Sequence, residues 1–145
     1  GPWWGYRNVR CKALVAGQES DVEMSVGLAY HQGMQIELIH QTNDADSPYS
    51  YFYRDSGDAQ ALQQIAYMVP DVEAAVQQCQ ARGMAETGRI IPAPGTEYVY
   101  MSSPFLKGMV IELMPHDDGF LAEYRRCAAE AETWDGADPY RLISF

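Results

Sequence analysis

The sequence predicts an α+β fold of two paired βαβββ modules, the first lacking its leading strand and helix, followed by a C-terminal helix. Three observations carry this reading: a short internal repeat, one complete run of strand and helix signals, and an amphipathic segment close to the C-terminus. The repeat sets His31-Gln-Gly-Met-Gln-Ile-Glu-Leu38 against Phe105-Leu-Lys-Gly-Met-Val-Ile-Glu-Leu113. Gly33/Gly108, Met34/Met109, Ile36/Ile111, Glu37/Glu112 and Leu38/Leu113 are identical at a constant offset of 75 residues. Strand-like residues precede each copy, Val22 to Tyr30 and Glu97 to Met101, and glycine punctuates the turn between. Each copy therefore reads as a β-hairpin, and the two together as a duplicated structural unit.

The second module is legible throughout. Leu62-Gln-Gln-Ile-Ala-Tyr-Met-Val69 alternates as a strand, Pro70 stops it, and Asp71 caps a helix that runs to Gly83. Val72, Ala75, Val76 and Cys79 fall at i, i+3, i+4 and i+7, an apolar helix face predicted to pack on Ile65, Tyr67 and Val69. A strand over Thr87 to Ile91, a Pro-Ala-Pro-Gly turn over Pro92 to Gly95 and the hairpin complete the order β-α-β-β-β. In the first module the same offset carries the leading strand to before Gly1. The chain is expected to enter at the second strand, Trp4 to Ala16, followed by a polar connector from Gly17 to Asp21.

One domain is expected over residues 1–145: residues 1–41 as the remainder of the first module, 42–61 as a linker, 62–115 as the second module and 116–145 as a C-terminal helix and tail. The linker carries Tyr49-Ser-Tyr-Phe-Tyr53, expected to cover an edge or an interface. Phe120, Tyr124, Cys127, Ala128 and Ala131 share one face of a helix over Phe120 to Trp134, and Trp134-Asp-Gly-Ala-Asp-Pro139 punctuates a docked tail.

Composition narrows the functional classes. The formal net charge is −10, and no cluster of Lys and Arg forms a basic groove, which argues against nucleic acid as partner. No apolar run reaches the length of a membrane span, so no membrane partner is expected. Cys11, Cys79 and Cys127 are odd in number and lack metal-site spacing; with no signal sequence at the start, a cytoplasmic location is expected. A neutral or cationic small molecule suits the acidic balance.

Leu62-Gln-Gln-Ile-Ala-Tyr-Met-Val-Pro-Asp-Val-Glu-Ala-Ala75 resembles the leading strand and helix of a vicinal oxygen chelate module, the glyoxalase/bleomycin-resistance type. The two Ile-Glu-Leu strands resemble its closing strands, and Gly1-Pro-Trp-Trp4 resembles its segment after the first helix. The resemblance implies a curved mixed sheet forming a cup around a small-molecule ligand, one divalent ion (Mn, Ni, Zn, Mg or Fe) and no organic cofactor. Carried over residue by residue, it implies Glu37, Gln64 and Glu112 as metal ligands, a fourth ligand on the absent strand, and Glu37 and Glu112 as the catalytic groups. Where relatives with a metal generally carry His before the Ile of the leading strand, this chain has Gln63-Gln64. Two functions remain open on this reading. One is a metal-dependent lyase, isomerase or dioxygenase; the other is a metal-free protein that sequesters its ligand, as bleomycin-resistance proteins do. A homodimer is expected in either case, because a sheet without its leading strand presents an unpaired edge.

Strand alternation is compatible with the carried-over set. Gln35, Glu37 and Ile39 oppose Ile36 and Leu38; Val110, Glu112 and Met114 oppose Ile111 and Leu113; Gln64, Ala66 and Met68 oppose Ile65, Tyr67 and Val69. Both glutamates and Gln64 can then face one concavity, with Tyr98, Tyr100, Met68 and Met114 lining it as ligand contacts. The plainer alternatives are acids solvated at strand ends, a Gln64 that hydrogen-bonds across strands, and Tyr and Met that only pack the sheet. His31, His40 and His116 stand outside the predicted metal set.

Overall fold

The computed structural model describes residues 1–50 and 60–144, and has the α+β class expected. Its elements are β1 (Trp3–Val15), β2 (Gln18–His31), β3 (Met34–Gln41), β4 (Gln64–Val69), α1 (Val72–Ala81), β5 (Ala85–Ala93), β6 (Thr96–Ser102), β7 (Val110–Pro115), α2 (Asp118–Glu132) and β8 (Tyr140–Ser144). The chain divides into two compact units, one of residues 1–9, 23–43 and 117–145, the other of residues 10–22 and 44–116.

In the second of these, the later half of β1 pairs antiparallel with β5, β5 with β6 and β6 with β7, and β4 adds to β7 in parallel. This is the β-α-β-β-β order read from the sequence. The Asp71 carboxylate accepts from the Ala74 amide at 2.9 Å and starts α1, which ends at Arg82 as the chain turns through Gly83. Val76 seats on buried Val99, Met101 and Leu113, with Val69, Val72, Ala75, Cys79, Met84 and Ile111 around it. Each such fully buried aliphatic side chain contributes about 1.5–3 kcal/mol.

The helix face is the predicted one, but its seat is different. Only Val69 of the three β4 residues predicted to meet the helix does so, and Ile65 and Tyr67 are exposed. Parallel pairing puts β4 beyond β7, whereas α1 lies over β6 and β7, so the apolar side of β4 is left largely uncovered. Gly88 marks a close approach of β5 to β1, since a Cβ there would lie 2.9 Å from the Leu14 carbonyl oxygen.

Arg89 ties α1 to the sheet. Its guanidinium bonds Glu73 of α1 at 2.5 Å, Glu86 at 2.8 Å and Glu97 at 2.6 Å. These partners hold its charge well above the ordinary range, and most of the Arg89 side chain is covered. Arg89→Met should therefore lower stability by about 1–3 kcal/mol, more than a surface ion pair, because three acids lose their shared cation. An unchanged urea midpoint would contradict this.

In the other unit β2 and β3 form a long antiparallel hairpin, and β8 pairs in parallel with the first residues of β1. Of the connector expected at Gly17 to Asp21, Gln18 to Asp21 is strand instead. A two-residue turn, Ala16-Gly17 with φ of 49° and 79°, closes the β1–β2 hairpin, and Gln32-Gly33, with φ of 49° and 76°, closes the next. The polar run belongs to an exposed part of β2, where Lys12 bonds Glu19 at 3.2 Å and Asp21 at 2.7 Å.

Asp117 caps α2 through the Phe120 amide, and the helix lays Tyr124, Cys127, Ala128 and Ala131 on Trp4, Tyr6, Leu28 and Tyr30. Trp4 and Tyr30 meet edge to face at 5.4 Å, as do Tyr30 and Tyr124 at 5.1 Å, and the Tyr124 hydroxyl donates to the Gly33 carbonyl. The expected tail contains a strand, β8, that ordinary turn and periodicity signals did not reveal.

Candidate functional site

The repeated Ile-Glu-Leu tripeptides occupy matching strands, β3 and β7, one in each unit. Around β7 the alternation places Gln64, Ala66 and Met68 of β4, Glu112 and Met114 of β7, and Tyr98 and Tyr100 of β6 on the sheet face away from α1. Register agrees: Ala66 and Tyr100 lie opposite Glu112, and Met68 lies opposite Met114.

On that face stands a chain of buried polar groups. Glu112 is only 5% exposed. Its Oε1 accepts from the Tyr100 hydroxyl at 3.0 Å and its Oε2 from Gln64 Nε2 at 2.6 Å. Tyr100, wholly buried, also shares a 2.7 Å hydrogen bond with the Tyr49 hydroxyl, the two rings meeting edge to face at 5.7 Å. Since Tyr100 gives its proton to the carboxylate, Tyr49 donates to Tyr100. Tyr49 is held by a turn in which the Ser47 hydroxyl accepts from the Tyr49 and Ser50 amides at 3.1 Å.

Tyr49 thus joins the cluster, where the sequence suggested an edge or interface cover. Its signal was misread because a Tyr-rich linker looks like a surface patch, and only the fold brings it beneath Tyr100. Tyr51 and Tyr53 lie outside the described residues. Met68, Met114 and Tyr98 are half-buried beside the polar chain.

Gln64 is the informative member. Its amide nitrogen points at Glu112, which leaves Oε1 buried with no hydrogen-bond partner among the described residues; Gln63 Nε2 is in the same condition. Burial without a partner costs about 1–3 kcal/mol per group, so such atoms mark places where a partner belongs.

Glu37 sits in the other unit, on β3, directly opposite Leu28 rather than a tyrosine. Among the described residues no hydrogen bond reaches its carboxyl. The residue keeps surface open to water, yet enough protein surrounds it that desolvation pushes its pKa up to about 7. Open water screens part of that effect. Gln35, two residues earlier on the same face, donates to the Tyr30 hydroxyl at 2.7 Å.

The arrangement of Gln64 and Glu112 does not fit a divalent ion. Both carboxylate oxygens already accept from protein donors, and Gln64 presents its nitrogen, which cannot ligate, toward the acid. Among the described residues no three of His, Cys, Asp and Glu gather closely enough to hold a metal.

The model of the Glyoxalase/Bleomycin resistance protein/Dioxygenase superfamily matches residues 3–101, more than half of the chain. The chain belongs to this superfamily. The match takes in β1 to β6, with Gln64, Tyr98 and Tyr100, and stops before Glu112 on β7. No curated protein matches the chain. The superfamily's description joins enzymes with a resistance function, so membership alone does not choose between catalysis and binding. No helix among the described residues is long and apolar enough to cross a membrane.

Proposed function

We propose that this superfamily member binds a small organic ligand without a metal, at the Gln64–Glu112 face, and that the ligand brings a hydrogen-bond donor on an apolar body. The observation that carries this is the orientation of Gln64: its nitrogen is committed to Glu112 and its oxygen is a buried acceptor without a donor among the described residues. Met68, Met114 and Tyr98 supply an adaptable apolar surround for the ligand's body. The acidic chain favours a protonated amine over an anion as that donor.

Calorimetric titration with Mn, Ni and Zn salts, beside a series of phenylalkylamines, tests the proposal. The expected result is no stoichiometric metal uptake and an amine affinity that falls at least tenfold, about 1.4 kcal/mol, in Gln64→Leu. One ion bound per chain and lost with Glu112→Ala would overturn it.

One observation favours a second reading, a metal-dependent lyase, isomerase or dioxygenase in which Glu37 moves the proton. A carboxyl pushed up toward neutrality by desolvation, as at Glu37, suits a proton-transfer base. The same titrations separate the readings, since only this one requires the ion.

A further inference from the structure

Gln64 keeps one amide atom buried and without a hydrogen-bond partner among the described residues, and its neighbour Glu112 decides which atom that is. A glutamine amide has a donor end and an acceptor end of nearly the same shape. The Glu112 carboxylate only accepts: Oε1 takes the Tyr100 hydroxyl proton at 3.0 Å, and Oε2 meets Gln64 at 2.6 Å. Gln64 therefore has to turn Nε2 inward, which leaves Oε1 on the free side. Ala66, paired with Glu112 across the strands, has no polar side-chain atom, and the contact comes instead from Gln64 on the same face of β4.

We propose, resting on the reading that a small ligand binds this face, that Glu112 is a positioning residue that sets ligand specificity: through Gln64 it fixes the hydrogen-bond polarity the ligand meets. Ligands that donate, such as alkylammonium ions, are selected. Ketones, esters and carboxylates of the same size are rejected, because each sets an oxygen against Gln64 Oε1 and leaves two buried acceptors without a proton. A hydrogen-bonding site discriminates best in this way, since the wrong ligand leaves buried polar groups unpaired.

One isosteric exchange reverses the polarity. In Glu112→Gln the Tyr100 hydroxyl still needs an acceptor, which the new amide oxygen supplies, so the new nitrogen falls where Oε2 stood. Two amide nitrogens both donate and neither accepts. Gln64 then turns over, gives Oε1 to the new donor and presents Nε2 to the ligand. The turn sacrifices no bond, because Gln64 Oε1 has no hydrogen-bond partner to give up. The competing arrangement, with the new nitrogen toward Tyr100, would reverse the Tyr100 and Tyr49 hydroxyls together, which share a 2.7 Å hydrogen bond.

Calorimetric titration with two probes tests this: phenylpropylamine, a donor, and benzylacetone, an acceptor whose oxygen lies equally far along the chain from the ring. The wild type is expected to bind the amine at least tenfold tighter than the ketone. Glu112→Gln is expected to bind the amine at least tenfold more weakly, and the ketone at least tenfold more tightly, than the wild type does. In the exchanged pair Gln64→Glu/Glu112→Gln, the new amide donates to the new carboxylate, whose second oxygen faces the ligand, so the preference for the amine should return. Nitrogen-15 NMR of the Gln64 side-chain amide, assigned by its loss in Gln64→Leu, reads the turn without any ligand: its protons should exchange with water at least tenfold faster in Glu112→Gln than in the wild type.

An unturned Gln64 amide in Glu112→Gln, or an unchanged preference for the amine there, would overturn the inference while wild-type amine binding left the ligand reading intact. Weaker binding of both probes in Glu112→Gln, with no return in the exchanged pair, would make Glu112 merely structural and overturn it too. A wild type that binds neither probe, even with the amide turning as expected, would overturn the ligand reading and the inference with it.

Discussion

Glu112→Leu is expected to cost several kcal/mol of stability and to abolish ligand binding at the Gln64 face. The leucine fills the space but accepts no hydrogen bond, so the Tyr100 hydroxyl and the Gln64 amide lose the acceptor they now share. An unsatisfied buried donor costs about 1–3 kcal/mol, and more when the lost partner is charged. Glu112→Gln, which keeps an acceptor oxygen, should cost about 1 kcal/mol. The network also predicts coupling. Tyr100→Phe removes the proton that Oε1 accepts, and the two substitutions together should be less damaging than their sum by about 1–3 kcal/mol. Equilibrium urea unfolding of the four proteins measures that difference. A Glu112→Leu protein as stable as wild type, or strict additivity, would show that the hydrogen bonds do not act together.

Much of the fold was legible because its signals are local. The internal repeat located both hairpins, Asp71 and the Val72-Ala75-Val76-Cys79 spacing located α1 and its buried face, and the Phe120-Tyr124-Cys127 spacing located α2. What failed depended on position within the sheet. Ile65 and Tyr67 alternate as inward residues should, but alternation assigns a face of a strand and says nothing of whether a helix reaches that strand. The polar run at Gly17 to Asp21 read as a connector because composition cannot distinguish a loop from an exposed strand with cross-strand ion pairs. β8 is short, follows a turn-rich segment and forms through pairing with β1, a contact far away in sequence.

The shared strand face of the candidate site was legible, and its hydrogen bonding was not. Alternation placed Gln64, Glu112, Tyr98, Tyr100, Met68 and Met114 on one face of their strands, and the register sets Tyr100 opposite Glu112 and Met68 opposite Met114. Which end of the Gln64 amide meets the acid depends on where Tyr100 puts its proton, and Tyr100 in turn on Tyr49, brought beneath it from a linker 51 residues away. Hydrogen-bond direction is a property of the assembled network, and no spacing rule encodes it.

The twin acids make a further contrast, and the pH dependence of stability should expose it. Glu112 faces Tyr100 across its strand pair and is hydrogen-bonded; Glu37 faces Leu28 and has no such donor among the described residues, and its carboxyl is pushed up to about 7 by desolvation. A raised carboxyl pKa means the folded protein holds the proton more tightly than the unfolded chain does. The neutral form is therefore the stabilised one. Below about pH 4.5 both states are protonated and Glu37 costs nothing; as pH rises toward about 7 the folded state must ionise a desolvated group, and stability falls. Glu37→Gln removes that burden. Its melting temperature should match wild type at about pH 4.5, exceed it increasingly through about pH 7, and hold a constant advantage above. The advantage will be smaller than the full shift implies, because the residue retains contact with water. Carbon-13 NMR of the labelled side chain reports the same quantity directly. A carboxyl midpoint at its ordinary value of 4.5 would remove both the stability effect and the ground for assigning Glu37 a proton-transfer role.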